Sequence, residues 1–209
     1  MGYYMRVLVL SPKKASLGDL QKALDDANLP LKVTLKSDSA DWTNLGIEGT
    51  GEHTIAALEY NPVVPGALGE AEIGEFLESI ERYRPASAVN WLKAFLPKVK
   101  AVYAFQVLSG ARALTGGWEA IWSLMDYIRK EGLGITQADG EGFSNLYGSH
   151  ILWQFSEKAS GEYRMAVLRK GLWTSFTMDL GDLDQRESFF NGEVPDGAEM
   201  VDSEPDLEI

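Results

Sequence analysis

Apolar and polar positions along the chain predict a mixed succession of strands and helices. Arg6-Val-Leu-Val-Leu10 is a short apolar run that stops at Ser11-Pro12 and reads as a buried strand. Ser16 with Asp19 three residues later predicts a capped helix start, with Leu17, Leu20, Ala23, Leu24 and Ala27 on one face and Asn28 and Pro30 at its end. Leu31, Val33 and Leu35 alternate with Lys32, Thr34 and Lys36, the pattern of a half-exposed strand. Residues 37–53 are polar and glycine-containing and read as loop, and Thr54–Tyr60 reads as the next strand. Over 69–83, Ile73, Phe76, Leu77 and Ile80 fall at helical spacing among five glutamates, which predicts an amphipathic helix broken by Pro85. A short helix over Ser87–Leu96 and a central strand over Val99–Leu108 complete this half.

Gly110–Gly117 reads as a connector. The next predicted helix carries Trp118, Ile121, Trp122, Met125 and Ile128 on its buried face. Strands follow at Gly134–Ala138, His150–Phe155, Tyr163–Leu168 and Leu172–Met178, the last two joined by a turn at Arg169-Lys170-Gly171, with a short helix over Leu183–Phe190. The predicted class is α+β in two sheet-and-helix subdomains. Residues 1–110 have a ferredoxin-like element order, βαββαβ with an extra helix. Residues 117–192 form a mostly antiparallel sheet packed on one helix, and 193–209 form a loosely held acidic tail.

Charge changes this picture more than composition does. The chain of 209 residues has a net charge of −12, and from Asp179 to Ile209 there are eleven acids against one base, Arg186. The remainder is close to neutral, with twenty acids against eighteen bases. No cluster of Lys and Arg suits phosphates, so nucleic acid is disfavoured as a partner. The absence of cysteine excludes disulfides, thiolate metal sites and cysteine nucleophiles, and fits a cytoplasmic location. The N-terminal apolar run is too short for a signal peptide, Arg6 argues against myristoylation, and no segment suits a membrane span.

The most suggestive motif is 137-QADGEGFSN-145. Asp-Gly is a strong hairpin-turn signal, which makes Asp139-Gly140 a turn. If the chain instead stays extended, Asp139 and Glu141 share a face at about 7 Å and suit an acid and base pair, with His150 assisting. It is not a calcium loop, since Phe143 and His150 stand where oxygen ligands belong. Two histidines, His53 and His150, give no metal set by themselves, so neither metal nor cofactor is expected. Ser11-Pro-Lys-Lys14 has S-x-x-K spacing but no helix to carry it, and Gly46, Gly49 and Gly51 lead into a strand with no lysine, unlike a phosphate loop.

Two functions fit. In the leading one, the chain is a non-catalytic binding protein of immunity or antitoxin type, whose acidic C-terminal third engages a basic protein partner. Phe143, Asn145, Trp153, Trp173, Asp182 and Asp184 are its candidate binding residues. In the other, a hydrolase-like enzyme acts on a small polar or carbohydrate substrate through Asp139, Glu141 and His150. Self-association through sheet edges is a third possibility, and the sequence does not fix the oligomeric state.

Overall fold

The computed structural model describes residues 2–36, 41–49, 53–201 and 204–205, the last two by backbone alone. The chain is α+β, with mostly antiparallel strand pairing. In chain order the elements are β1 (Tyr3–Val9), α1 (Leu17–Asp26), β2 (Lys32–Leu35), β3 (Asn44–Glu48), β4 (Thr54–Pro62), α2 (Leu68–Ser79), α3 (Ala86–Phe95) and β5 (Ala101–Val107). Then come α4 (Gly110–Ala113), α5 (Gly117–Gly132), β6 (Gly134–Ala138), β7 (Gly142–Ser144), β8 (His150–Trp153), β9 (Glu162–Arg169), β10 (Leu172–Asp179), α6 (Leu183–Phe190), β11 (Glu199–Met200) and β12 (Glu204–Pro205).

These elements fall into two compact units, neither of them a continuous segment: residues 1–70 with 99–139, and residues 71–98 with 140–209. In the first unit the strands run β6-β1-β5-β4-β3-β2, every neighbouring pair antiparallel. The ferredoxin-like order is not confirmed. β3 occupies part of the stretch expected to be loop and inserts between β2 and β4. Of that expected loop, residues 37–40 and 50–52, and with them Thr50 and Gly51 of the glycine run, lie outside the described residues. Ser16 caps α1 as its spacing predicts, accepting from the Asp19 N–H at 3.1 Å. Leu20 and Leu24 carry the helix into a core with Val7, Val9, Leu45, Ile47, Tyr103 and Phe105.

The helix α5 packs on β1 and β6 in this first unit. Its buried face carries Gly117, Ala120, Ile121, Leu124, Met125, Ile128 and Gly132. Of the two indoles expected on that face, Trp118 is half-buried and packs against the core, whereas Trp122 is corrected by its 55% exposure and leans on the Trp118 ring at 5.9 Å. The physical reason is close approach. A Cβ at Gly132 would stand 2.5 Å from Val9 Cγ1, so the C-terminal end of α5 lies close against β1, and the larger buried side chains Ile121, Leu124, Met125 and Ile128 fill the inward face without Trp122.

In the second unit the strand order is β11-β10-β9-β8-β7, with β12 also on β10. Pairing is antiparallel except between β8 and β9, which run parallel at His150 and Met165. Lys170 and Gly171 both take positive φ, 53° and 78°, as a two-residue type I′ hairpin needs, and they fix the register of β9 against β10. The helix α3 packs on β8 and β9. Trp153, Met165, Val167, Phe176, Met178, Leu180 and Phe189 form the core. The residues after Gly192 are more engaged than expected: Val194 and Ala198 pack against that core, and Glu199–Met200 pairs with Phe176 and Thr177.

At Gly142 φ is 122°, and a Cβ would lie 2.0 Å from the Leu152 carbonyl oxygen, whereas at Gly140 φ is 73° and the space is open. Gly142→Ala should therefore lower stability by roughly 2–4 kcal/mol and Gly140→Ala by about 1 kcal/mol. Urea unfolding midpoints at an unchanged slope would check this, and equal losses would contradict it.

Candidate functional site

The motif around Asp139 resolves into a turn. Residues 139–141 connect β6 to β7, with positive φ at Gly140 and Gly142 but not at Asp139, so the turn is not the type I′ form that Asp-Gly favours. Asp139 belongs to the first unit and Glu141 to the second. Asp139 is held on both oxygens: Arg6 Nη1 donates to Oδ1 at 2.6 Å and the Tyr4 N–H to Oδ2 at 3.1 Å. Its own N–H donates to the Tyr4 carbonyl at 3.0 Å, so the side chain fastens the end of β6 to β1. Glu141 accepts from the Tyr163 hydroxyl at 2.9 Å. Burial, and then the Glu141 charge, push the Tyr163 phenol far above its ordinary value, so it stays a donor.

The chemistry in the second unit gathers beyond that turn. A register shift between Phe143 and Ser144 sets Ser144 opposite His150 across β7 and β8, and Ser144 Oγ stands 2.8 Å from His150 Nδ1. Both are buried, at 6% and 5% exposure. Burial pushes the imidazole pKa down from 6.5 to about 4, so it is neutral at ordinary pH. Its ring stacks obliquely on Phe155 and meets Tyr163 edge-on, both at 5.0 Å. His150 Nε2 and Asn145 Nδ2 are buried with no hydrogen-bond partner.

Asn145 closes the intervening loop on itself. Its Oδ1 accepts from the Tyr147 and Ser149 N–H groups at 3.0 Å each, and its N–H donates to the Ser149 carbonyl at 2.9 Å. Ser149 Oγ then meets Ser175 Oγ at 2.9 Å and accepts from Arg164 Nε at 2.8 Å. A serine hydrogen-bonded to a histidine is the first requirement of an activated nucleophile, but a third group must orient the base and a substrate must reach the oxygen. Ser144 and His150 have the bond without the access.

Of the remaining residues singled out from sequence, Phe143, Trp153 and Trp173 are interior, at 0%, 8% and 1% exposure, as is Asn145 at 0%. Phe143 meets Phe76 edge-on, Trp173 meets Trp91, and Trp153 lies among Phe155, Phe189 and Phe190. Their rings cover the sheet and offer a partner no surface. Asp182 and Asp184 are exposed. Asp182 caps α6, accepting from the Asp184 and Gln185 N–H groups at 2.9 and 3.1 Å. Sequence reading missed Ser144, Ser149, Tyr163, Arg164 and Ser175. The one local signal was Asn145 followed by Gly148 and Ser149, an Asx-turn composition. No protein-family model, curated protein or solved structure matches the chain. Among the described residues, no three His, Asp or Glu side chains converge as a metal site, and no helix is long and apolar enough to cross a membrane.

Because the folded pKa of His150 lies below its unfolded value, the unfolded chain takes up the proton first as pH falls. The stabilisation from neutral His150 is complete above about pH 6.5 and is lost progressively towards pH 4, on the order of 3 kcal/mol in all. Tyr163 faces the ring as a neutral donor bonded to Glu141, so neither replaces the lost term. His150→Gln should flatten the fall in urea midpoint between about pH 7 and about pH 4.5, and an unchanged fall would contradict this assignment.

Proposed function

We propose that this chain is a non-catalytic binding protein that presents the acidic surface of its C-terminal third to a basic protein partner, as an immunity or antitoxin protein does. The observation carrying this reading is that the late acids are exposed and form no ion pair among the described residues, with only Asp179 feeling the Arg186 charge. Asp179, Asp182, Asp184, Glu187, Glu193, Asp196 and Glu199 are all exposed, and none takes part in an ion pair among the described residues. Arg186, the one base in this stretch, is buried beneath Trp153 and donates to the carbonyls of Leu180, Glu157 and Ala159. Asp179 and Asp182 bond to backbone N–H groups, which orient the carboxylates and leave their charge intact. Unpaired exposed charge of one sign steers an oppositely charged partner and sets its choice. Leu183, 71% exposed between Asp182 and Asp184, supplies an apolar contact within that charge.

The enzyme reading has one observation in its favour, the Ser144–His150 hydrogen bond, and it requires those two sealed side chains to open. Asp139 and Glu141, its acid and base, are each committed to a structural partner.

Truncation to residues 1–178 does not test the binding reading, because it removes Leu180 and Phe189 from the core. Neutralising the surface within the full chain does. Asp184→Asn, Glu187→Gln, Glu193→Gln, Asp196→Asn and Glu199→Gln together should leave the melting temperature within a few degrees. The same variant should slow association with a co-purified basic protein roughly ten-fold or more, and raised salt should erase the difference. Unchanged association, or partners without a basic surface, would sink the reading.

A further inference from the structure

The first unit contains a second feature independent of the acidic surface: a small cleft, open to solvent, between the β1–α1 loop and the C-terminal end of α5. Its apolar lining includes Val9, Ala15 and Ile128, and Tyr103 and Tyr127 add aromatic rings. The loop above it is braced at both ends. The Leu10 and Ser11 N–H groups donate to the Gly132 carbonyl at 3.0 and 3.1 Å, the Ala15 N–H donates to the Tyr103 hydroxyl at 2.9 Å, and Trp42 Nε1 donates to the Ala15 carbonyl at 3.0 Å. Lys13 is therefore presented from a fixed backbone.

The charges around this cleft are mixed and incompletely matched. Lys14 is engaged by Asp41, the Trp42 carbonyl and the Trp42 and Tyr60 rings. Lys13 and Glu131 line the same cleft, are exposed, and have no ion-pair partner among the described residues, not even each other. Asp19 stands on the Glu131 side in charge: both carboxylates act on Tyr127, raising its phenol above the ordinary value after burial has done so. Tyr103 accepts from Ala15 and stays protonated, with its pKa pushed up to about 12 chiefly by burial, so its own hydrogen remains a donor.

An unmatched cation and an unmatched anion on one small cleft with an apolar lining describe the two ends and the middle of an amino acid. We propose that the cleft binds a free zwitterionic amino acid with an aliphatic side chain. Its carboxylate is taken by Lys13, its ammonium by Glu131 and Asp19, and its side chain lies on Val9 and Ile128. Charge-assisted contacts at both ends give the selectivity, and the aliphatic lining adds area.

The test is an amide-shift titration of the full chain with L-leucine, L-leucinamide, which lacks the carboxylate, and 4-methylpentanoate, which lacks the ammonium. L-leucine should move the Lys13, Ala15 and Gly132 amides and bind at least roughly ten-fold more tightly than either analogue. Lys13→Gln should bring L-leucine down to the level of L-leucinamide, and Glu131→Gln should bring it down to the level of 4-methylpentanoate. Both side chains are exposed, so the fold should survive either change. No shift with L-leucine up to about 10 mM, equal binding of all three probes, or shifts confined to other residues would overturn the proposal.

Discussion

A guanidinium brings five donors and one permanent charge, and in Arg186 all of this is turned inward. Its donors meet the Leu180, Glu157 and Ala159 carbonyls, and its plane lies 5.1 Å from the Trp153 ring centre. The residue ties α6 to the loop that follows β8, and so holds Phe189 against the core of the second unit. The arrangement satisfies the desolvated cation with hydrogen bonds and a ring face in place of a carboxylate. Outside, the acids from Asp179 to Glu199 form no ion pair among the described residues: Asp179 feels the Arg186 charge without closing on it, backbone N–H groups serve Asp179 and Asp182, and Asn191 serves Glu187.

The first unit handles its charges differently. Arg6 stands in the middle of β1 and bonds both Gln137, at 2.8 Å, and Asp139, so its charge is matched across the pairing of β1 with β6. With the Tyr4 contacts, this makes Asp139 a fastening for the strand end, which explains why a carboxylate belongs there without catalysis. The same β1 accepts α5 at van der Waals distance through Gly132, and that close approach sets the cleft wall below Lys13.

Local signals in the sequence carried most of the element positions. The Ser16 and Asp19 spacing marked the start of α1, Lys170-Gly171 marked a hairpin, and the apolar runs marked β1, β5 and β6, because caps, positive-φ turns and periodicity act over a few residues. β3 escaped because Asn44-Leu-Gly-Ile-Glu48 is short, with only Leu45 and Ile47 apolar and a glycine, a poor strand former, between them. At that glycine the side chains of Thr34 and Lys36 crowd in: a Cβ there would meet Lys36 Cε at 2.3 Å and Thr34 Oγ1 at 2.9 Å, so a larger residue would have to push the lysine aside. The sheet order depended on pairings between residues tens of positions apart, for which a single sequence has no short-range sign. The buried polar cluster was hidden for the same reason. Ser149, Arg164 and Ser175 meet only after β8, β9 and β10 have paired, and the Ser144–His150 contact needs the register shift in β7.

That cluster also bears on what kind of protein this is. A catalytic imidazole works best with a pKa near the operating pH and with a path to substrate. His150 has the opposite environment: a pKa driven down by burial, one nitrogen on Ser144, and the ring walled by Phe155 and Tyr163. Such a group stabilises the fold as a neutral, hydrogen-bonded member of the interior and does so most strongly when it does not titrate. At the surface of the same unit the late carboxylates are exposed and form no ion pair among the described residues. These features support the proposed binding reading over the enzyme reading, because the one serine–histidine pair lies away from solvent while the exposed charge lies at the surface.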